Sequence, residues 1–502
     1  VQSLSKIRTM KLFITILFSI LFNFSVKAQS ISFEKYLDDS ITYEITAVCT
    51  VGSNYLLLCN QSIANFDQHD PFIYMLDSMG NILFKKEYDF NFQSNFLHVE
   101  KMKDNKLLFV GNIDSFNTDF STKMDGLVMI TDSVGNMLSL HVFSFNTNTY
   151  LYHGTIEDST FVLIGRRHEL NSIRNDILVL KSDYNFNLID STIIHKQKND
   201  YGIRINKSFN DKYLICGQLF DNIGTTSFYS LLNSNLDSIY LRRYWHMVDQ
   251  DSGEIALWGV LNAKETFDKH IILSNVFKTL NPLIPNPPFG MNYQRIGLMK
   301  FDSLGTLLKT VVYYNLNSRQ DRPIDIFEDT DGGFRIPGTY EFNSDFTTTI
   351  KPNGDFYLIK VDSSLNRIWD KKYGNADYQE MKAAIPTKDG GMIMVGSTYN
   401  NTRKIKNGYV VKTDASGNVN TGVEQKKIQE LNIYPNPVSN TLYINTNATI
   451  TTYRITDILG NVISEGEVNG NSISIEELYP GLYVIKAIDN KGAIYRNKFV
   501  KN

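Results

Sequence analysis

Histidine, cysteine and acidic residues are where metal or acid–base chemistry would first be sought in this chain, and their spacing offers little of either. His69, His98, His141, His153, His168, His195, His246 and His270 fall one to a strand or loop, with no HExxH or other close pair to set two imidazoles on one ion. No metal and no cofactor are expected. There is no GxSxG elbow, P-loop or dinucleotide fingerprint either, so no catalytic residue is assigned. Cys49, Cys59 and Cys216 are odd in number and lack a CxxC spacing. Cys59 and Cys216 close apolar runs and read as small buried hydrophobes, and the turn near Gly52-Ser53-Asn54 does not set Cys49 opposite Cys59 for a disulfide. Asp329-Thr330-Asp331-Gly332-Gly333 has the opening of a calcium loop without its later ligands, and the equivalent Thr387-Lys388-Asp389 favours a turn.

The elements that would have to position such residues are strands. Tyr 28 and Phe 31 against Pro 12 favour an all-β chain. With Lys+Arg 50 against Asp+Glu 53 and a net charge of -3, there is no basic surplus for a phosphate backbone, which excludes nucleic acid as a partner. Met10-Lys11, the apolar stretch Leu12 to Phe22 and the small Ala28 before Gln29 read as a secretory signal peptide. Val1 to Thr9 read as translated from upstream of the true start and are expected to carry no fold, so residues 1–28 are an upstream extension plus the signal peptide. The apolar run is shorter than the roughly 20 residues of a membrane span, and no transmembrane anchor is expected.

Between residues 29 and 420 a unit repeats. A short apolar strand ending in Gly recurs at Leu107 to Gly111, Phe161 to Gly165, Tyr213 to Gly217, Ile255 to Gly259, Phe334 to Gly338 and Met392 to Gly396, with Asn60 standing in for Gly in the first unit. The Gly reads as a positive-φ position or a close approach of another strand. Each is followed by a strand that runs into an Asp-centred turn, as in Asp77-Ser78-Met79-Gly80-Asn81, and seven copies can be traced. Continuously apolar runs mean strands covered on both faces. Four strands every 40 to 60 residues or so predict a β-propeller of about seven blades. The last unit lacks its outer strand, and Phe33 to Leu37 is expected to supply it and remove an open edge.

The segments from Asp331-Gly332-Gly333 through Tyr373-Gly374 and from Asp389-Gly390-Gly391 through Asn418 resemble the propeller repeats of exported Bacteroidetes proteins. From residue 421 a polar connector leads to Leu431-Asn432-Ile433-Tyr434-Pro435-Asn436-Pro437, then Asp457-Ile458-Leu459-Gly460-Asn461, Tyr479-Pro480-Gly481-Leu482-Tyr483 and Lys498-Phe499-Val500-Lys501. This resembles the type A C-terminal sorting domain of the type IX secretion system, an immunoglobulin-like β-sandwich. The resemblance implies that Tyr434, Pro435, Asn436, Pro437, Gly460, Pro480, Gly481, Tyr483 and Lys498 form the sorting motif. It also implies that the secretion machinery is a partner, and that the chain passes the periplasm to the surface or medium. Ser78, Ser133, Ser191 and Ser303, each after Asp, resemble the acceptor sequence for Bacteroidetes O-glycosylation; turn composition explains them equally well.

Function is the least legible part. The repeat is interrupted between Gly259 and Arg295 by a Pro-rich segment whose Phe267, Phe277, Phe289 and Tyr293 could stack on a sugar or anchor a protein, making it the candidate binding loop. The leading reading is an exported propeller that binds a glycan or protein, more a binding protein than an enzyme. The alternative is an extracellular polysaccharide hydrolase or lyase, which inward carboxylates with an Arg or His in the central channel would favour.

Overall fold

The computed structural model describes residues 31–502 except 38–40, 62–69, 117–121, 170–173, 196–198, 222–223, 245, 250–252, 280–292, 316–317, 319, 342–353, 376, 401–404, 420–428, 447, 458–461, 469 and 491–493. The proposed signal peptide lies outside the described residues. The chain divides between Val419 and Asn420 into two compact units.

The first unit is a seven-bladed β-propeller. Blade I is Tyr43–Val51, Asn54–Gln61, Pro71–Leu76 and Ile82–Glu87, from the inner strand outward. The inner strands of the next four blades are Ser94–Lys101, Thr147–Ile156, Asn199–Ser208 and Gly253–Glu265. In blade VI the inner strand is split into Arg322–Pro323 and Phe327–Glu328, and in blade VII it is Tyr378–Pro386. Burial follows position within the blade. The third strand of blade I, Pro71–Leu76, is buried at every residue, because blades cover it on both faces, while the outer Ile82–Glu87 is largely exposed. The core lies between blades: Ile73 and Met75 of blade I pack with Phe96, Phe109 and Leu127 of blade II.

Phe33–Leu37 is the outer strand of blade VII, antiparallel to Ile405–Lys412, with Phe33 opposite Lys412 and Leu37 opposite Gly408. Tyr409 Oη donates to Glu34 at 2.6 Å and Tyr43 Oη to the Leu37 carbonyl at 2.6 Å, so the closing strand is tied to both blades VII and I. This seam removes the edge that blade VII would otherwise present.

The repeated glycine serves close approach. Gly111, Gly165 and Gly217 have no positive φ; a Cβ there would stand 1.9, 1.7 and 1.9 Å from the carbonyl oxygens of Asn95, Tyr150 and Tyr201 on the adjoining inner strand. In blade I the register puts Cys59, opposite Ile45, where Gly111 stands opposite Phe96. Asn60 is therefore the counterpart of Asn112 and not a glycine substitute. Its Oδ1 accepts the Phe96 N–H at 3.0 Å and its Nδ2 donates to the Phe96 carbonyl at 2.7 Å, and Asn112 treats Leu151 in the same way at 2.7 and 3.2 Å. These amides stitch one inner strand to the next.

Blade V departs from the sequence expectation. Ile255 to Gly259 belongs to the inner strand, and the second strand is Ile271–Thr279. An apolar run closing on Gly also describes a doubly bulged inner strand, with register shifts at Leu257/Gly259 and Val260/Asn262, and the cue cannot tell the two apart. The interruption shortens to residues 280–292, which are outside the described residues.

The second unit is a two-sheet sandwich. Its larger sheet runs Gln429–Glu430, Ile494–Lys501, Gly481–Asp489, Ile450–Thr456, Val462–Glu467, and its smaller one Ile433–Tyr434, Thr441–Ile444, Ser472–Ser474. Leu442, Ile455, Ile473, Ile485 and Phe499 form the core between them.

Candidate functional site

A one-residue bulge recurs in the inner strands, between Ile45 and Ala47, Phe96 and His98, Leu151 and His153, Gly202 and Arg204, and Met381 and Ala383. A bulge bends the strand and re-aims the side chains beside it. Ala47, His98, His153, Arg204 and Ala383, the first paired residues after each bulge, all line one cavity of about 390 Å³ on the propeller axis. Lys264 of blade V and Asp325 and Phe327 of blade VI complete its wall, so every blade contributes. A second cavity of about 190 Å³ lies toward the other end of the inner strands, between Ile203, Arg322, Glu380 and Lys382. Arg204 lines both and marks the neck between them.

Most charges here are already paired. Lys382 lies 2.6 Å from Glu380 and 3.5 Å from Glu44, which also takes the Lys406 ammonium. Burial alone would raise the Glu44 carboxyl, but Lys382 and Lys406 offset it and the net direction is down. Lys264 pairs with Asp325 at 2.8 Å and sits 3.9 Å over the Phe327 ring. Asp325 accepts a further bond from Asn262 Nδ2. The channel thus has the inward carboxylates that favour an enzyme, yet Glu44, Glu380 and Asp325 are each held by a lysine and poorly placed to move a proton.

Three groups differ. The His98 and His153 rings face each other with centroids 3.9 Å apart. Burial, reinforced by the charges of His98, Arg204 and Lys264, holds His153 well below the usual imidazole range, so it is neutral at pH 7. Its Nδ1 is buried without a hydrogen-bond partner, as is Nε2 of His98, whose nearest carboxylate, Glu100, is 3.6 Å away. Arg204 makes no ion pair or side-chain hydrogen bond among the described residues.

Of the four aromatic residues of the candidate loop, Phe267 and Phe277 are placed apart. Phe267 is 69% exposed on the turn after the blade V inner strand. Phe277 is fully buried in the second strand, in the core with Leu273 and Met299. Phe289 lies outside the described residues, and Tyr293 begins the third strand, paired with Thr279. Because strand residues alternate between faces, Phe277 packs against the neighbouring blade, which a loop reading cannot foresee. Cys49 is opposite Leu56 and Cys59 opposite Ile45; all three cysteines are buried and free, and burial pushes the Cys49 thiol up to about 12. Asp329 and Asp331 have their cations in place, Arg335 and Lys360. Among the described residues no three His, Cys, Asp or Glu side chains converge as a metal would require.

In the sandwich, Tyr434, Pro435, Asn436 and Pro437 are exposed. Asn436 Nδ2 donates to the Lys498 carbonyl at 3.1 Å and its Oδ1 accepts the Val500 N–H at 2.9 Å, so this amide pairs with the last strand as a backbone would. Tyr483 is buried and donates to the Tyr479 carbonyl at 2.9 Å beside exposed Pro480 and partly buried Gly481. Gly460 lies outside the described residues.

Sequence reasoning missed the channel cluster because it looked for ligands close in the chain. The signal was the phase of the repeat: His98, His153 and Arg204 precede Gly111, Gly165 and Gly217 by 13, 12 and 13 residues, and so occupy one position in three successive blades.

Residues 432–502 match the family described as the secretion system C-terminal sorting domain. The chain is an exported one, directed by this domain through the secretion machinery to the cell surface or medium. No helix among the described residues is long and apolar enough to cross a membrane. No curated protein matches the sequence. Similar solved structures include PorZ, a surface component of the type IX secretion system of Porphyromonas gingivalis. It is 8% identical, with 91% of this chain and 75% of that one covered and a TM-score of 0.33. The β-propeller domain of the Trilobed protease from Pyrococcus furiosus is 9% identical, over 77% and 99%, with a TM-score of 0.42. A polysaccharide lyase, an ulvan lyase, is 10% identical, over 76% and 96%, with a TM-score of 0.48.

Proposed function

We propose that this exported propeller is a binding protein whose ligand site is the axial channel. Arg204 carries the reading: a partly buried guanidinium at the channel neck with no partner among the described residues. An unpaired charge in such a place is costly to keep, and a ligand that supplies its partner recovers that cost. The larger cavity opens where the inner strands end, and there the turns carry exposed Phe209 and Phe267, aromatic groups suited to a glycan or a protein side chain. A second reading, a hydrolase or lyase acting on extracellular polysaccharide, is favoured by His153, a neutral imidazole with an unpartnered nitrogen beside Arg204.

The test is to fill the channel. Ala383 lines the larger cavity and is only partly buried, so Ala383→Trp should block it with little loss of fold. Neutral and acidic oligosaccharides and surface proteins are screened against the wild-type chain, and every hit is then measured on the variant. Binding should fall at least tenfold with the melting temperature kept; hits that bind the plugged propeller undiminished would place the site elsewhere.

A further inference from the structure

We infer that the larger axial cavity takes the carboxylate of an acidic saccharide, with Arg204 as its anchor. This rests on the channel being the ligand site and names the ligand class. Of the charged residues lining that cavity, Lys101, Arg204 and Lys264 are cationic and Glu100 and Asp325 anionic. Lys264 and Asp325 neutralise each other at 2.8 Å, which leaves Lys101 and Arg204; Lys101 is exposed, whereas Arg204 is partly buried at the neck and carries a planar fork that matches a carboxylate in two parallel hydrogen bonds.

His153 points independently to a ligand. It is more than nine-tenths buried, lines the same cavity, and holds an Nδ1 with no partner. A sugar carries hydroxyl groups that can serve this nitrogen while its acid group meets Arg204, whereas an inorganic anion has no such donors. Size and rim agree with a saccharide. A cavity of about 390 Å³ is at the lower end of small-molecule sites and suits one or two sugar units. Phe209 and Phe267, 44% and 69% exposed, stand on the turns three residues beyond the lining residues Asn206 and Lys264 and offer apolar faces for sugar rings outside it.

The experiment is calorimetric titration of the full chain with oligogalacturonate, with the same oligomer fully methyl-esterified, and with polyglutamate, at low and at physiological salt. Oligogalacturonate should bind, more weakly at the higher salt, and the ester at least tenfold more weakly. Arg204→Ala should remove at least tenfold of the acid's affinity and Arg204→Lys less, while Lys86→Ala on an outer strand changes nothing. Equal binding of acid and ester, unchanged binding by a folded Arg204→Ala protein, or no binding of the acid overturns the inference. Polyglutamate binding as tightly as the saccharide overturns the ligand class. A neutral ligand that Ala383→Trp excludes would leave the channel as the binding site and remove only the acidic saccharide.

Discussion

Charged groups gather in two parts of the propeller, and the fold treats them in opposite ways. At the Asp-Gly-Gly turn of blade VI, Arg335 pairs with Asp329 through Nε at 2.8 and 3.0 Å, and its Nη1 donates to the carbonyls of Gly390 and Gly391 in blade VII at 2.9 Å each. Lys360 reaches both Asp329 and Asp331, and Lys412 repeats the pairing with Asp389 in blade VII. In the channel, His98 and His153 each bury a ring nitrogen without a partner, and the partly buried Arg204 at the neck makes no side-chain hydrogen bond or ion pair with a described residue. Saturated clusters hold blades together; an unsaturated one on the axis is what a binding site retains. If that distinction is sound, substitutions in the two places should separate stability from binding.

The largest effect is expected at the turn. Arg335→Ala removes a buried guanidinium, leaves Asp329 with Lys360 alone, and takes one donor from each of two blade VII carbonyls, of which Gly391 keeps the Thr387 N–H. The expected loss is about 3 kcal/mol of unfolding free energy, read from urea denaturation. A change below about 1 kcal/mol would mean that these bonds are decorative and the contrast fails on the structural side.

A smaller effect, in the opposite region, comes from acid. Burial keeps His153 neutral in the folded protein, whereas the unfolded imidazole takes up a proton near pH 6.5. Below that pH the unfolded state binds more protons, so stability falls as pH drops from the unfolded value toward the depressed folded one. The slope from this one group is at most about 1.4 kcal/mol per pH unit. His141, also shifted down by burial, adds in the same direction. Glu44 and Asp132, held below the ordinary carboxylate range, lose their contributions only at lower pH, while Asp321, Glu328 and Asp355, raised by burial, take up protons in the folded state and oppose the histidine slope, so the share of His153 is read from the variant. In unfolding measured from about pH 6.5 to 5, His153→Gln should reduce the loss of stability with acid relative to the wild type; an unchanged slope would show that His153 is not the buried neutral base described here.

How legible each region was follows from the range of its contacts. The turn Asp132-Ser133-Val134-Gly135-Asn136 was readable because its chemistry is local: Asp132 Oδ1 accepts from Val134 and Asn136 at 2.9 and 2.8 Å, all within five residues. The closing strand was readable because a missing edge partner and a stray strand imply each other. The channel was not, since His98, His153 and Arg204 meet only once the blades are arranged around an axis, and what aims them is a bulge that leaves no residue signature. Blade V failed for a related reason, its inner strand carrying the apolar-run-plus-Gly cue of a second strand.

The smallest expected effect is the most discriminating. Arg204→Ala removes no ion pair and no side-chain hydrogen bond made with a described residue, so the loss is the packing of its methylene stem. Against that, the variant relieves one of the charges that depress His153, which should bring its titration back toward the ordinary range and shallow the acid slope. The two contributions oppose each other, and the net change at pH 7 should stay within about 0.5 kcal/mol. The same variant should lose acidic-saccharide binding, a result no stabilising residue could give. Were Arg204→Ala instead to cost as much as Arg335→Ala, the channel arginine would be one more tie between blades and the contrast between the two regions would disappear.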